Sequence, residues 1–239
     1  YKTEAKLAEA ANVLRGMAKQ GKKILFVATK KQAKQVIADL AASVGMPYVI
    51  ERWPGGMLTN FPTIRKAVRK MTTIDKMSKD GTFDNLSKRE RLQITRQRAK
   101  LEKTLGSIAD LNRLPAALFV VDVLKERIAV AEANRLGIPV IGMVDTNSDP
   151  NTVDYVIPAN DDASKSIELI AGTLTAAIAE GLQEHKIEKA DSEAAEAQAS
   201  EGAAPRRERR RVRRNETAEP AAEAAEVVEE TVAEETAAE

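Results

Sequence analysis

The chain has 239 residues, of which 43% are hydrophobic but only 3% aromatic, with no Cys and a single His. That composition excludes disulfide frameworks, zinc fingers, iron–sulfur clusters and thiol catalysis, and it leaves no material for a His-based triad or a two-His metal site. The net charge of +1 hides an asymmetry: residues 1–185 carry 28 Lys+Arg against 21 Asp+Glu, whereas residues 186–239 carry 9 against 15.

Residues 3–19 read as a helix, with Leu7, Ala10, Ala11, Leu14 and Ala18 on one stripe and Gly21 as its stop. Residues 23–29 form a continuous apolar run, the pattern of a strand covered on both faces. A helix over 31–43 ends at Gly45, and residues 46–51 give a second strand. Further strands are expected at 117–122, 139–145 and 155–157. A helix over 125–135 ends at Gly137, and Asp161 or Asp162 can cap a closing helix through about residue 184. Two helix ends share one punctuation, Gly followed by Pro at a strand entry (Gly45 with Pro47, Gly137 with Pro139). Buried strands interleaved with helices predict an α/β fold, a doubly wound parallel sheet. No GxGxxG or Walker motif follows any strand, so no nucleotide cofactor is expected. No apolar run reaches the ~20 residues of a membrane helix, and no signal peptide opens the chain. A soluble, cytosolic protein is expected, and because the chain begins at Tyr1 rather than Met, upstream residues are expected as well.

Residues 61–113 break the alternation. Ile64, Val68, Met71, Ile74 and Met77 follow a 3/4 spacing, Asp80-Gly81 marks a turn, and Ser87-Lys88-Arg89-Glu90 is a capping box. Ile94, Leu101, Leu105 and Ile108 continue a second seam. Two helices of about 17 and 24 residues, roughly 25 and 36 Å, are expected to pair as a projecting antiparallel coiled-coil hairpin. Its 14 Lys+Arg against 6 Asp+Glu make it strongly basic. Such an arm fits a phosphate backbone through Arg65, Lys66, Arg69, Arg91, Arg96, Arg98 and Lys100, or is simply a solvated face.

Two loops carry alternatives. In residues 52–60, Arg52 and Trp53 can clamp or stack on a nucleotide, Gly55 and Gly56 allow close backbone approach, and Thr59 and Asn60 can contact it. Equally, Trp53 can be a packed hinge anchor and the glycines can make a turn. Lys30 and Lys31 stand where strand 23–29 opens into a helix, a place for a phosphate, with Thr29 as an ordinary N-cap in the plainer reading. Asp122, Asp145, Asp149, Asp161 and Asp162 follow strand ends and could hold magnesium for phosphate chemistry. Turn and cap roles explain them as well, and no nucleophile accompanies them, so neither a catalytic nor a metal site is assigned.

The last 54 residues contain no aromatic residue and are mostly Ala and Glu around an Arg block at 206–214. They are expected to form a disordered tail from residue 187. The expected organisation is therefore a body in two parts, 1–60 and 114–186, a helical hairpin at 61–113, and the tail at 187–239.

The strings KKILFVATKKQA (22–33), ERWPGGMLTN (51–60), LSKRE (86–90) and FVVDVLKERIAVAEANRLGIPVIGMVDTNSDPNTVDYVIPANDDASKSI (119–167) closely resemble the bacterial form of ribosomal small-subunit protein 2. The resemblance runs in order over about residues 1–182, with the basic hairpin in the family's place. The family's usual N-terminal segment, with a first strand, would lie upstream of residue 1. The resemblance implies a flavodoxin-like body with a protruding hairpin and a structural, non-enzymatic role in the small ribosomal subunit. It implies contact with small-subunit ribosomal RNA and with neighbouring ribosomal proteins, including the large messenger-binding protein. It implies no membrane, no cofactor and no homo-oligomer. A magnesium-dependent phosphate-handling enzyme built on the Asp rim is the alternative.

Overall fold

The five apolar runs pair side by side. In the computed structural model, which describes residues 2–81, 83 and 86–202 (backbone only for 191–202), the strands are β1 (Ile24–Val27), β2 (Tyr48–Val49), β3 (Ala117–Val121), β4 (Val140–Val144) and β5 (Tyr155–Pro158). All four pairings are parallel, in the order β2-β1-β3-β4-β5. This is the flavodoxin-like doubly wound order, whose switch point lies between β1 and β3. The helices are α1 (Lys2–Lys19), α2 (Lys31–Ser43), α3 (Phe61–Lys79), α4 (Lys88–Leu105), α5 (Arg127–Leu136) and α6 (Ser164–Gly202). The chain divides into two units, Tyr1–Ala197 and Gln198–Glu239.

Strand side chains alternate between two cores. Ile24, Phe26, Phe119, Val121, Ile141 and Met143 meet Leu14 of α1, Ile37 of α2 and Ile170, Leu174 and Ile178 of α6. The Phe26 and Phe119 rings meet edge to face at 5.5 Å. Leu25, Val27, Leu118, Val120 and Val140 point the other way, to Ala129, Val130 and Ala133 of α5. Trp53, Met57 and Leu58 complete that second core, with Val68 of α3 and Leu105 of α4. The punctuation read from sequence is present: Gly45 and Gly137 both adopt positive φ just beyond their helices.

The segment between β2 and β3 is helical, as its spacing predicts. Ser87 caps α4 with both bonds of the capping box formed. Asp75 of α3 pairs with Arg98 of α4, Val68 shares a core with Leu105, and the Arg65 guanidinium donates to the Leu111 carbonyl. Partner numbers rise on one helix as they fall on the other, so α3 and α4 run antiparallel. The second helix is 18 residues long, not about 24, because Gly106 turns the chain into a short 3-10 segment ending at Ile108.

The closing helix is the main departure. α6 has 39 residues and reaches Gly202, past the expected end near 184, and the expected start of the tail at 187 falls inside it. Absence of aromatics argues against packing, but Ala and Glu are strong helix formers. Residues 203–239, including the Arg block, lie outside the described residues. Among the described residues no helix is long and apolar enough to cross a membrane.

One close approach fixes how α1 meets α6. A Cβ on Gly181 would collide with the Arg15 backbone carbonyl and stand 3.0 Å from the Ala18 Cβ. Ala at this helical position would gain about 1 kcal/mol of propensity. Overpacking costs about 1–3 kcal/mol, and here the obstacle is backbone. With backbone in the way the cost falls near the upper end, about 2–3 kcal/mol, so Gly181→Ala is expected to lower stability by about 1–2 kcal/mol net, read as a reduced urea midpoint. An unchanged or raised midpoint would show that the two helices can part.

Candidate nucleic-acid interface and the carboxylate rim

The carboxyl ends of β1, β3, β4 and β5 bring one cation and several carboxylates together. Lys30 is the N-cap residue of α2, in extended conformation, and offers no side-chain cap. Its Nζ lies 2.5 Å from Asp162 Oδ1, 2.9 Å from Asp161 Oδ1 and 3.5 Å from Asp122 Oδ2. Burial opposes the Lys30 charge, but the hydrogen bonds to Asp161 and Asp162 outweigh it and raise the pKa. Asp161 is 1% exposed, and its Oδ2 has no hydrogen-bond partner. Burial pushes its pKa up against the pull of Lys30, and the charges of Asp122 and Asp145 push the same way. Asp145, by contrast, is held down, chiefly by the Thr146 amide. Carboxylate oxygens of Asp145, Asp161 and Asp162 lie within 4.8 Å of one another, a spacing that could hold a metal ion. Lys30 already supplies positive charge at that point.

The expected caps are not made by the expected residues. The Asn160 side chain, not Asp161 or Asp162, accepts from the Asp162 and Ala163 amides before α6. Thr29 is no N-cap either: its amide and hydroxyl both donate to Glu126 Oε1. Glu126 is buried, which raises its pKa even though the Thr29 bonds pull it down. Asp122 is the sole non-glycine residue with positive φ (66°) among the described residues. In that pose its Oδ1 accepts from the Lys125 amide at 3.0 Å.

A second carboxylate, missed by sequence reading, organises the loop after β2. Glu132 of α5 is buried and accepts from Trp53 Nε1 (3.1 Å), the Gly56 amide (2.7 Å), the Leu58 amide (2.9 Å), and the Thr59 amide and hydroxyl (both 3.2 Å). Burial alone would raise its pKa, but these donors, led by the Leu58 amide, bring it below the ordinary value. Trp53 is thus the packed anchor of the plainer reading, 6% exposed with its indole N–H engaged. Gly56 adopts a positive φ of 81°, and a Cβ there would meet the Asn60 Cβ at 3.3 Å. Gly55 and Arg52 face solvent, and Asn60 Oδ1 accepts from the Thr63 hydroxyl.

The hairpin cations fall into two groups. Arg65 is tied to the Leu111 carbonyl, Arg91 to the Leu86 carbonyl, and Arg98 to Asp75 and Glu102. Hydrogen bonds to Asp75 and the charges of Asp75 and Glu102 raise the Arg98 pKa further. Lys66, Arg69, Arg96 and Lys100 are exposed and, among the described residues, have no carboxylate partner. Lys31 is likewise exposed. The structure therefore gathers Lys30 with the carboxylates, sets Trp53 and the glycines around Glu132, and leaves the outer cations of α3 and α4 in solvent.

The family model described as Ribosomal protein S2 matches residues 1–181. The Small ribosomal subunit protein uS2 of Parabacteroides distasonis is 77% identical over 209 residues, covering 87% of this chain and 73% of that protein. That of Porphyromonas gingivalis is 79% identical over 189 residues, covering 79% and 67%. That of Flavobacterium johnsoniae is 65% identical over 209 residues, covering 87% and 82%.

Two outcomes follow from the carboxylate geometry. Glu132→Gln keeps the shape but turns an amide N–H₂ toward buried donors, and is expected to cost about 2 kcal/mol at pH 7. A carboxylate with a lowered folded pKa stabilises above its unfolded pKa, about 4.3, and loses that stability as pH falls through the folded value. The gap between Glu132→Gln and the parent should therefore narrow in acid, as measured by urea unfolding from pH 7 to pH 3. Lys30→Met should cost about 2–3 kcal/mol, toward the low end for a broken buried pair because Asp162 is exposed. Adding Asp161→Asn should restore part of the loss; strict additivity in the double-mutant cycle would contradict the coupling.

Proposed function

Because this chain belongs to the Ribosomal protein S2 family, we propose that it is a structural component of the small ribosomal subunit that binds ribosomal RNA and neighbouring proteins there. It works in the cytoplasm, in translation, without catalysing a reaction. The reading rests on one observation: Lys66, Arg69, Arg96 and Lys100 stand exposed on α3 and α4 without carboxylate partners among the described residues. Phosphate-backbone binding needs such cations, since its free energy comes largely from counterion release. The pair of helices acts as a basic coiled-coil arm laid on RNA, with Lys31 and Arg52 extending the same contact from the body. Thr59, Asn60 and Gly55 border the arm's root and can hydrogen-bond backbone or 2′-hydroxyl groups.

The other sequence candidates act from within. Arg98 holds the two helices to each other, Arg65 holds α3 to the turn after α4, and Arg91 reaches back to the turn before α4. Trp53 and Gly56 fix the root of the arm through Glu132, and Lys30 closes the carboxylate rim. Docking of the large messenger-binding protein belongs to the same reading, as one of the protein contacts of the body. The Asp rim offers no equal case for magnesium-dependent phosphate chemistry, because Lys30 is bonded into it and the relatives are named as ribosomal proteins.

Replacing Lys66, Arg69, Arg96 and Lys100 together by Ala should reduce the log–log salt slope of RNA binding by about 3, if each contributes 0.7–0.9. The same variant should sediment at the top of a sucrose gradient rather than with the small subunit. Filter binding to small-subunit RNA across a salt series measures the first effect. An unchanged slope would mean that the arm binds protein instead.

A further inference from the structure

The outer face of α5 is used by neither the rim nor the arm. Its stripe of Leu124, Ile128, Ala131 and Arg135 follows helical spacing, Leu124 lying in the turn that leads into the helix. Leu124 is 55% exposed and Ile128 53% exposed. Beside them runs an open groove of about 540 Å³, lined by Thr59, Arg127, Ile128, Ala131, Glu132 and Arg135.

The charges here are sorted by sign. The acidic residues of segment 122–136, namely Asp122, Glu126 and Glu132, are all buried and committed to Lys30, Thr29 and the 53–59 loop. Its exposed charged residues, Lys125, Arg127 and Arg135, are all cations. Arg127 and Arg135 have no carboxylate partner among the described residues, and Lys125 reaches only the Thr29 carbonyl.

We propose that this face docks an acidic, amphipathic segment of another protein, most simply a helix laid along the groove. Apolar side chains at 3/4 spacing would cover Leu124 and Ile128, and flanking Asp or Glu would meet Arg127 and Arg135. RNA fits less well. Phosphates could answer the arginines, but they would leave two large aliphatic side chains uncovered, and no aromatic ring is exposed here for a base to stack on. A second copy of the chain fits less well too, because it would set cations against cations. The proposal stands apart from RNA binding by the arm and does not depend on it.

The test uses the full chain and a synthetic helical peptide of about 18 residues, long enough to hold a helix, with Leu at 3/4 spacing flanked by Glu. Its controls are a scramble of identical composition, a counterpart with Lys for Glu, and an RNA duplex. Fluorescence anisotropy should show saturable binding of the patterned acidic peptide alone on this face. Ile128→Asp and Arg127→Glu/Arg135→Glu should each weaken it by about tenfold or more, while Lys66→Glu leaves it unchanged. Ile128→Ser, milder and equally exposed, should weaken it in the same direction with an unchanged melting temperature. The proposal fails if no peptide binds, if the scramble binds as well, or if Ile128→Asp has no effect. It also fails if these variants release RNA instead, or dissociate a dimer in sedimentation.

Discussion

A five-stranded parallel sheet must be covered on both faces, and that constraint shapes everything built on this one. Each strand contributes alternate side chains to two cores, so each face needs its own helices. On one face α1, α2 and α6 supply them. On the other, α5 is the only complete helix among the described residues, and the shortfall is made up by Trp53, Met57 and Leu58 and by the inner ends of α3 and α4. The connection from β2 to β3 must pass over β1 in any sheet of this order. Here that crossover has been lengthened into two helices whose roots join the second core, with Met71 and Ile74 continuing a buried stripe along α3. Only Leu105 of α4 is buried. The arm is thus rooted by the requirement to cover the sheet, which leaves its outer residues open to select for charge.

Carboxylates do the complementary work inside. Glu132 gathers three amides, a hydroxyl and an indole N–H. Glu126 holds the end of β1 through Thr29, and Asp161 and Asp122 hold Lys30. Each is buried, where an unanswered charge would be costly and an answered one is geometrically exacting. Loops that leave the sheet are fixed largely by acids, with Lys30 and Lys125 joining them at the ends of β1 and β3. The surplus of Lys and Arg is left for the surface of the arm. These four acids are drawn inward, while segment 61–113 keeps 14 Lys+Arg against 6 Asp+Glu, and the near-neutral total reflects the excess of acids in residues 186–239.

Much of this was legible. Continuous apolar runs marked every strand, Gly45 and Gly137 marked helix ends, and Ser87 with Glu90 marked the start of α4. Those signals are local, and local physics settles them. What could not be read was the pairing of distant residues. Nothing near Lys30 in sequence reveals that Asp161 and Asp162 will meet it, since that depends on β1 and β5 standing in one sheet. Trp53 looked equally fit for a base and for a core until Glu132 took its N–H. A signal for Glu132 did exist: it sits between Val130 and Ala133, on the apolar face of its helix. A charged residue at such a position must find donors, and a glycine-containing loop is a ready source of amides. The length of α6 is hidden for a different reason: scarcity of core-forming residues is not scarcity of helix, and Ala and Glu sustain one without a core.

A surplus of cations left after pairing links the arm to α5. On α3 and α4 the cations near the seam are consumed by Asp75, Glu102 and backbone carbonyls, and the outer ones are left over. On α5 both glutamates are consumed by loops, and the cations are left over. The two surfaces differ in what surrounds the charge. Between the cations of the arm lie mostly Thr, Gln and Ala, with Leu92 a single large apolar side chain exposed among them, and this surface suits a hydrated phosphate backbone. Between those of α5 lie Leu124, Ile128 and Ala131, which favour a partner that can exclude water. Charge alone would make the two surfaces equivalent; the apolar residues between the charges separate a surface suited to a phosphate backbone from one suited to protein.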